Sequence, residues 1–139
     1  MPIDRLCLEL ALDPTHFDVL VMENLFGDVI SDLCAGLVGG LGLVPGANIS
    51  KSCAVFEAVH GSAPDIAGKG LANPIALLRS AALLLEYIGQ RNIARRLEDS
   101  VRKTLQAKKG LTRDLGGTGT TATITQALID NLSRHSANS

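Results

Sequence analysis

Two acidic residues, Asp28 and Asp32, stand four positions apart where an apolar helical pattern begins. Residues at this spacing share one face of a helix, so the two carboxylates could together hold a hard cation such as magnesium or manganese. Such a cation keeps coordination positions open for water and for substrate oxygens. The same acids could instead only complement the dipole at the helix start, and their spacing alone favours that structural interpretation.

A second candidate site is the loop over residues 60–68, which follows an apolar run of strand length. The loop has neither the spacing of a Walker A motif nor that of G-x-G-x-x-G. Its small residues, among them Gly61 and Ala63, would let a flat ring approach the backbone. Asp65 could accept hydrogen bonds from ribose hydroxyls and would repel a 2′-phosphate. The loop could equally be a turn-rich connection, which the residues by themselves slightly favour.

Composition argues against several other kinds of site. Thirteen basic and fourteen acidic residues give a formal net charge of -1, and no run of Lys or Arg suggests a nucleic-acid partner. The cysteines, Cys7, Cys34 and Cys53, lack CxxC spacing and a histidine cluster, which favours reduced core thiols over zinc ligands. No apolar run approaches the length of a membrane span. We therefore expect a soluble intracellular protein with no nucleic-acid or membrane partner.

The elements that must position these residues follow an α/β order, and 139 residues suit one domain. Apolar periodicity predicts helices over residues 4–12, 28–38, 74–89, 92–107 and 123–132, and strands over 17–22 and 53–59. Residues 24–27 are predicted to turn the chain into the second helix, with Asp28 at its start. Pro74 suits a first helical turn, and Gly89 suits a C-cap.

Three motifs, in this order and spacing, resemble the isocitrate/isopropylmalate dehydrogenase family: NLFGDVISD at residues 24–32, FEAVHGSAPDIAGK at 56–69 and ANP at 72–74. The resemblance takes in nearly the whole chain. It implies that family's α/β fold, with residues 1–139 forming the C-terminal portion of the large domain, a mixed sheet and flanking helices, while the N-terminal half is absent. We expect residues 133–139 to be a disordered tail.

The resemblance implies NAD-dependent oxidative decarboxylation of isocitrate to 2-oxoglutarate with Mg²⁺ or Mn²⁺. In the family, hydride passes to a nicotinamide cofactor, and the metal polarises the resulting keto group before carbon dioxide leaves. Asp28 and Asp32 match the metal-binding acids, and Asp4 matches the acid supplied across a dimer interface to the partner's metal. Asn24 matches the residue lining the nicotinamide side of the pocket. The adenosine-contacting positions are matched by His60, Gly61, Ala63, Asp65, Ile66 and Asn73.

The identity of the cofactor depends on the same loop. NADP-using relatives of the isocitrate branch carry a Lys-Tyr pair at the positions of Asp65 and Ile66, and a tyrosine and an arginine in a later loop also hold the phosphate. The later positions are Arg113 and Gly117 in this chain. Because Asp65 would set a negative charge against a 2′-phosphate, NAD is the expected cofactor, and Arg113 is the residue that weakens this prediction.

The substrate is less firmly indicated than the cofactor. Residues 39–49 and 111–117 resemble the NAD-using isocitrate branch, while 3-isopropylmalate dehydrogenase is the alternative. A further alternative is a truncated, non-catalytic chain that binds nucleotide or docks on a full-length subunit. The family's general acid-base tyrosine and lysine precede the first residue here, so we assign no catalytic residue to this chain and expect it to be inactive alone. The resemblance also implies a homo- or hetero-oligomer, at least a dimer, in the cytoplasm or the mitochondrial matrix.

Overall fold

The structure, a computed structural model, describes residues 1–133 and divides the chain into Met1–Leu41 (unit 1) and the residues from Gly42 onward (unit 2). Short 3-10 turns separate some of the regular elements. Within the described residues these elements are α1 (Ile3–Leu12), α2 (Asn24–Leu37), β1 (Pro45–Ile49), β2 (Ala54–Ala58), α3 (Ile75–Tyr87), α4 (Arg91–Ala107) and α5 (Thr121–Ser133).

Unit 1 consists of two helices that share a small apolar cluster. The buried members are Leu6 and Leu10 on α1 and Ile30 on α2. After α1, the side chain of Asp13 accepts hydrogen bonds from the hydroxyl and the backbone N–H of Thr15. These bonds favour the carboxylate, so the pKa of Asp13 lies below its ordinary value of 3.8. The connection out of α1 is thus closed by local hydrogen bonds.

Two predictions for unit 1 were wrong. Residues 17–22 form no strand, because a strand needs a hydrogen-bonded neighbour and no described residue supplies one. Helix α2 begins at Asn24, four residues before the predicted start. Residues 24–27 are therefore its first turn rather than a bend, closed by a hydrogen bond of 2.7 Å from the Gly27 N–H to the Glu23 carbonyl. Gly27 disfavours helix by only about 1 kcal/mol, which the rest of the helix outweighs.

Unit 2 packs three helices and an antiparallel hairpin around one apolar core. Its buried members come from α3, α4, α5 and the loop before α5: Ile75, Val101, Leu111, Ile124 and Leu128. Strands β1 and β2 pair antiparallel, with Ala47 opposite Phe56. Among the described residues this hairpin is the whole sheet, where a mixed sheet was expected. Strand β2 was predicted correctly, although alternate side chains are exposed rather than buried on both faces.

The helices of unit 2 confirm the prediction from periodicity to within about two residues, the usual uncertainty of helix ends. Helix α3 ends at Tyr87, and Gly89, two residues further on, has φ 84°. The Gly89 N–H bonds the Glu86 carbonyl, and the Gln90 N–H bonds the Leu85 carbonyl. This is the Schellman arrangement that a C-cap glycine permits. Of the expected tail, Ser133 is the last residue of α5, and residues 134–139 lie outside the described part.

Over residues 1–133, every helix is too short or too polar to cross a membrane.

Candidate functional site

Asp28 and Asp32 lie on α2 with exposed side chains. Within residues 1–133 neither carboxylate has a hydrogen-bond or ion-pair partner. Since α2 begins at Asn24, the two acids fall in its second and third turns, and its first turn holds no acid. A helix dipole stabilises charge mainly in the first turn, so the dipole no longer explains this pair. Two unpartnered carboxylates one turn apart, each repelling the other, fit the oxygen ligands of Mg²⁺ or Mn²⁺.

Asp4 and Asn24 occupy helix starts in the same unit. Asp4 is exposed in the first turn of α1, where its charge does complement the dipole. Asn24 is the exposed first residue of α2. Over residues 1–133 no three side chains of the kinds that bind metal converge. Among the described residues, Asp28 and Asp32 therefore form a pair on α2, and Asp4 does not form a three-residue group with them.

The loop over residues 60–68 lies in unit 2 and leaves β2 with an unusual backbone. Ala63 is left-handed, at φ 44° and ψ 62°, and a short 3-10 turn, Pro64–Ile66, follows it. A left-handed non-glycine residue stores about 1 to 3 kcal/mol of strain, and such residues are common at ligand contacts. The His60 Nδ1 atom lies 3.0 Å from the Gly61 carbonyl oxygen. The left-handed residue and the 3-10 turn therefore give this loop a specific backbone conformation.

This loop presents an exposed acid and open space. Asp65 is exposed in the first turn of the 3-10 segment and has no partner among the described residues, while Ile66 is half-buried. No heavy atom lies within 4 Å of the position that a Cβ would take at Gly61 or Gly68. A flat group could approach the backbone at both glycines, as the sequence predicted, and Asp65 is available as a hydrogen-bond acceptor.

The end of the loop is fixed to the start of α5. The Thr121 N–H donates to the Gly70 carbonyl at 2.8 Å, and the Thr121 hydroxyl donates to the Ala72 carbonyl at 2.6 Å. These bonds join segments that are far apart in the chain, since Thr121 and Ala72 are 49 positions apart. The α5 start therefore positions the ANP motif.

Asn73 is committed at both ends of its side chain. Its Oδ1 atom accepts from the Ile75 N–H at 3.0 Å and so caps α3. Its Nδ2 atom donates to Asp114 Oδ2 at 2.8 Å. These two bonds fix the orientation of the amide and leave one Nδ2 hydrogen and one Oδ1 lone pair for a ligand. A Cβ at Gly42 would lie 3.0 Å from Asp114 Oδ2, so a larger residue at position 42 would require the Asp114 side chain to shift slightly.

Asp114 is the site residue that sequence reasoning missed. Its motif, LTRDLGG at residues 111–117, was recognised, yet only Arg113 and Gly117 were singled out from it. The loop is held by bonds from the Gly117 N–H to the Thr112 carbonyl and from the Gly119 N–H to the Leu111 carbonyl. A Cβ at Gly119 would overlap the Gly110 carbonyl, which requires glycine there. The Asn73–Asp114 bond therefore brings Asn73 and the neighbourhood of exposed Arg113 together.

A profile of the isocitrate/isopropylmalate dehydrogenase family matches residues 1–132. An isocitrate/homoisocitrate dehydrogenase of Thermus thermophilus is 52% identical over 130 residues, which cover 94% of this chain and 39% of the relative. The mitochondrial alpha subunit of isocitrate dehydrogenase [NAD] from Homo sapiens is 50% identical over 129 residues, covering 92% of this chain and 35% of that protein.

The fold is also shared with solved structures. A crystal structure of isocitrate dehydrogenase from Methylococcus capsulatus superposes with a TM-score of 0.90 at 48% identity, covering 94% of this chain and 39% of that one. The chain thus spans well under half the length of these relatives. The predicted fold class is confirmed by this likeness, and so is the resemblance drawn from the three motifs. The chain belongs to the isocitrate/isopropylmalate dehydrogenase family, a family of enzymes.

Proposed function

We propose that this chain forms the NAD-binding and metal-binding part of an enzyme that oxidatively decarboxylates isocitrate to 2-oxoglutarate. The observation that carries the proposal is the exposed, unpartnered carboxylate of Asp65 on a shaped loop of small residues. The human relative is named for NAD, and the Thermus relative for isocitrate and homoisocitrate, which supports both halves of the assignment.

For the cofactor, Asp65 accepts hydrogen bonds from the ribose hydroxyls of NAD, and its charge opposes a 2′-phosphate. His60, Gly61, Ala63 and Ile66 surround the adenosine. Asn73 contributes from a side chain that its bonds to Asp114 and to the start of α3 hold in place. Arg113 is the one arginine or lysine among the residues considered for the cofactor, and its side chain is exposed. Its positive charge lessens the preference for NAD over NADP without reversing it.

For the metal, Asp28 and Asp32 supply two carboxylate oxygens and leave the remaining positions to water and substrate. When bound, the cation polarises the keto group formed by hydride transfer. Asp4 serves the metal of a partner subunit, and Asn24 lines the nicotinamide side. Exposed apolar side chains on α1, including Leu8 and Leu12, support an interface of this kind.

The proton transfers belong to residues outside this chain. Tyr87 is its one tyrosine, and it ends α3 with its ring 5.5 Å from that of Phe56, in no assigned site. The chain alone should therefore bind ligands without turning over isocitrate. In a eukaryote we expect the assembled enzyme in the mitochondrial matrix, in keeping with the word mitochondrial in the name of the human relative, and otherwise in the cytoplasm.

The decisive test is calorimetric titration of the whole chain with NAD and with NADP. We expect NAD to bind at least about tenfold more tightly, and Asp65→Asn to remove most of that difference. Asp130→Asn is the matched control, because it makes the same charge change on α5 outside the site and should alter neither affinity. Tighter binding of NADP by the unmodified chain would refute the assigned role of Asp65.

The metal assignment has its own test. Titration with Mn²⁺, followed by electron paramagnetic resonance, should show binding that weakens at least about fivefold in Asp28→Asn and in Asp32→Asn. Asp18→Asn removes another exposed acid of unit 1 and should leave Mn²⁺ binding unchanged. If all three changes weakened Mn²⁺ binding equally, the binding would reflect general negative surface charge and not a site formed by Asp28 and Asp32.

A further inference from the structure

An open groove of about 490 Å³ lies in unit 2, between the hairpin and the point where α3 passes into α4. Its apolar wall includes Ile49 of β1, Phe56 of β2 and Leu83 of α3, with Tyr87 beside them. The rings of Phe56 and Tyr87 are 5.5 Å apart and tilted by 56°. A concave surface of this volume, with an apolar wall and a few polar groups, is typical of small-molecule sites.

Two arginines of α4 line the same groove. Arg91 and Arg95 are four positions apart, so they share one face of the helix. Over residues 1–133 neither guanidinium has a hydrogen-bond or ion-pair partner, whereas Arg102, further along α4, pairs with Asp99. The groove therefore carries two positive charges that no described residue neutralises by direct contact.

These two charges do not stabilise the helix that carries them. Arg91 is the first residue of α4, where a positive charge opposes the helix dipole, and the first turn contains no acid. Arg95, one turn later, repels Arg91. Residues that go against local preferences without a structural gain are expected mainly at functional sites. We therefore looked for a ligand that these charges would suit.

A third charge limits the kind of anion that fits. Glu86 of α3 also lines the groove, so two arginines and one glutamate leave a single excess positive charge there. One carboxylate complements that charge, whereas a phosphate dianion exceeds it. Guanidinium groups bind carboxylates through paired, parallel hydrogen bonds. The apolar wall is suited to the remainder of such a ligand.

We propose that this groove binds a small monocarboxylate with an apolar ring. Its carboxylate lies between Arg91 and Arg95, and its ring packs against Phe56 and Tyr87. Charge complementarity selects the anion, and the two aromatic rings select an apolar body over a purely polar one.

The proposed site is separate from the residues assigned to the cofactor. Ile49, in its wall, pairs with Ala54 at the start of β2. The loop over residues 60–68 instead follows the opposite end of that strand. The proposal therefore does not rest on the proposed function, and either one can fail without the other.

Tyr87 makes the test specific to this groove, because the chain has one tyrosine and no tryptophan. Titration of the whole chain with cyclohexanecarboxylate should change the tyrosine fluorescence saturably, with a Kd of about 1 mM for a ligand of this size. Cyclohexylmethanol lacks the charge and acetate lacks the ring, and each should bind at least about tenfold more weakly. The absence of saturable binding, equal binding of cyclohexylmethanol, or tighter binding of inorganic phosphate would overturn the proposal.

Charge-removing variants test the two arginines. Arg91→Gln and Arg95→Gln should each weaken the binding of cyclohexanecarboxylate at least about fivefold. Both side chains are exposed, so neither change disturbs the core. Arg102→Gln is the matched control, because it makes the same change on α4 outside the groove and should leave binding unaltered. Binding that survives both groove variants, or that Arg102→Gln weakens equally, would contradict the proposal.

Discussion

Units 1 and 2 cover their apolar side chains to very different degrees. In unit 2, Ile75 and Ile124 are 0% exposed, and the most exposed of its described large apolar residues is Ile49 at 61%. In unit 1, Val21 reaches 91% and Leu12 75%, against a core of three buried residues. A unit of this size rarely buries enough surface to be stable without help. Unit 2 has a core of its own, while unit 1 leaves three large apolar side chains, Leu12, Val19 and Val21, at least 75% exposed.

Units 1 and 2 also differ in their buried polar side chains, which lie in unit 2 among the described residues. In unit 2 the Ser80 hydroxyl donates to the Glu57 carbonyl of β2, and the Ser100 hydroxyl donates to the Leu128 carbonyl of α5. These bonds join separate elements and fix how they pack. The described residues of unit 1 include no buried polar side chain. The loop over residues 60–68 therefore follows a strand that is fixed to α3, whereas the acids of α2 lie on a helix with few tertiary contacts.

The largest expected effect tests the core of unit 2. Leu128 is 4% exposed, so Leu128→Ala should lower the free energy of unfolding by about 2 to 5 kcal/mol through lost burial and a cavity. Its neighbour Ile129 is 50% exposed, and Ile129→Ala should cost well under half as much. Urea unfolding followed by circular dichroism measures both. Similar losses at the two positions would remove the distinction between a closed core and an open surface.

A smaller effect tests how the loops of unit 2 are fixed. Asn73→Ala removes both the cap of α3 and the bond to Asp114, and should cost about 1 to 2 kcal/mol. Asp114→Ala removes the bond alone and should cost about 0.5 to 1 kcal/mol. Asn92→Ala, at an exposed α4 position, serves as the control and should change stability little. If Asp114→Ala equals Asn73→Ala in urea unfolding, the cap contributes nothing.

The smallest effect concerns unit 1 and predicts opposite signs for two equivalent changes. Asp4→Asn removes a charge that favours the α1 dipole, and should lower stability by about 0.3 to 1 kcal/mol. Asp28→Asn relieves repulsion from Asp32 one turn away, and should raise stability by about 0.2 to 0.5 kcal/mol in the absence of metal. Thermal unfolding at low salt measures both. A loss from Asp28→Asn would mean that its carboxylate has a structural role.

Local sequence patterns were enough to predict most of the elements of unit 2. The bounds of α3, α4 and α5, strand β2 and the C-cap at Gly89 follow from periodicity and from glycine and proline, which act over a few residues. The same local pattern misplaced the start of α2, because Gly27 resembles a turn residue and only the bond to the Glu23 carbonyl makes it helical. The family could also be predicted from the sequence, since each of the three motifs is contiguous.

Features that depend on residues far apart in the chain became clear only from the folded structure. Residues 17–22 have the composition of a strand, but a strand exists only where a neighbour completes its hydrogen bonds, and composition cannot supply one. The commitment of the Asn73 side chain to Asp114, 41 positions away, has no local signature. A dipole effect as the explanation for Asp28 and Asp32 was excluded only because α2 begins at Asn24, ahead of both acids. Local conformational preferences can be predicted from neighbouring residues, whereas hydrogen bonds between distant residues form only when the chain packs.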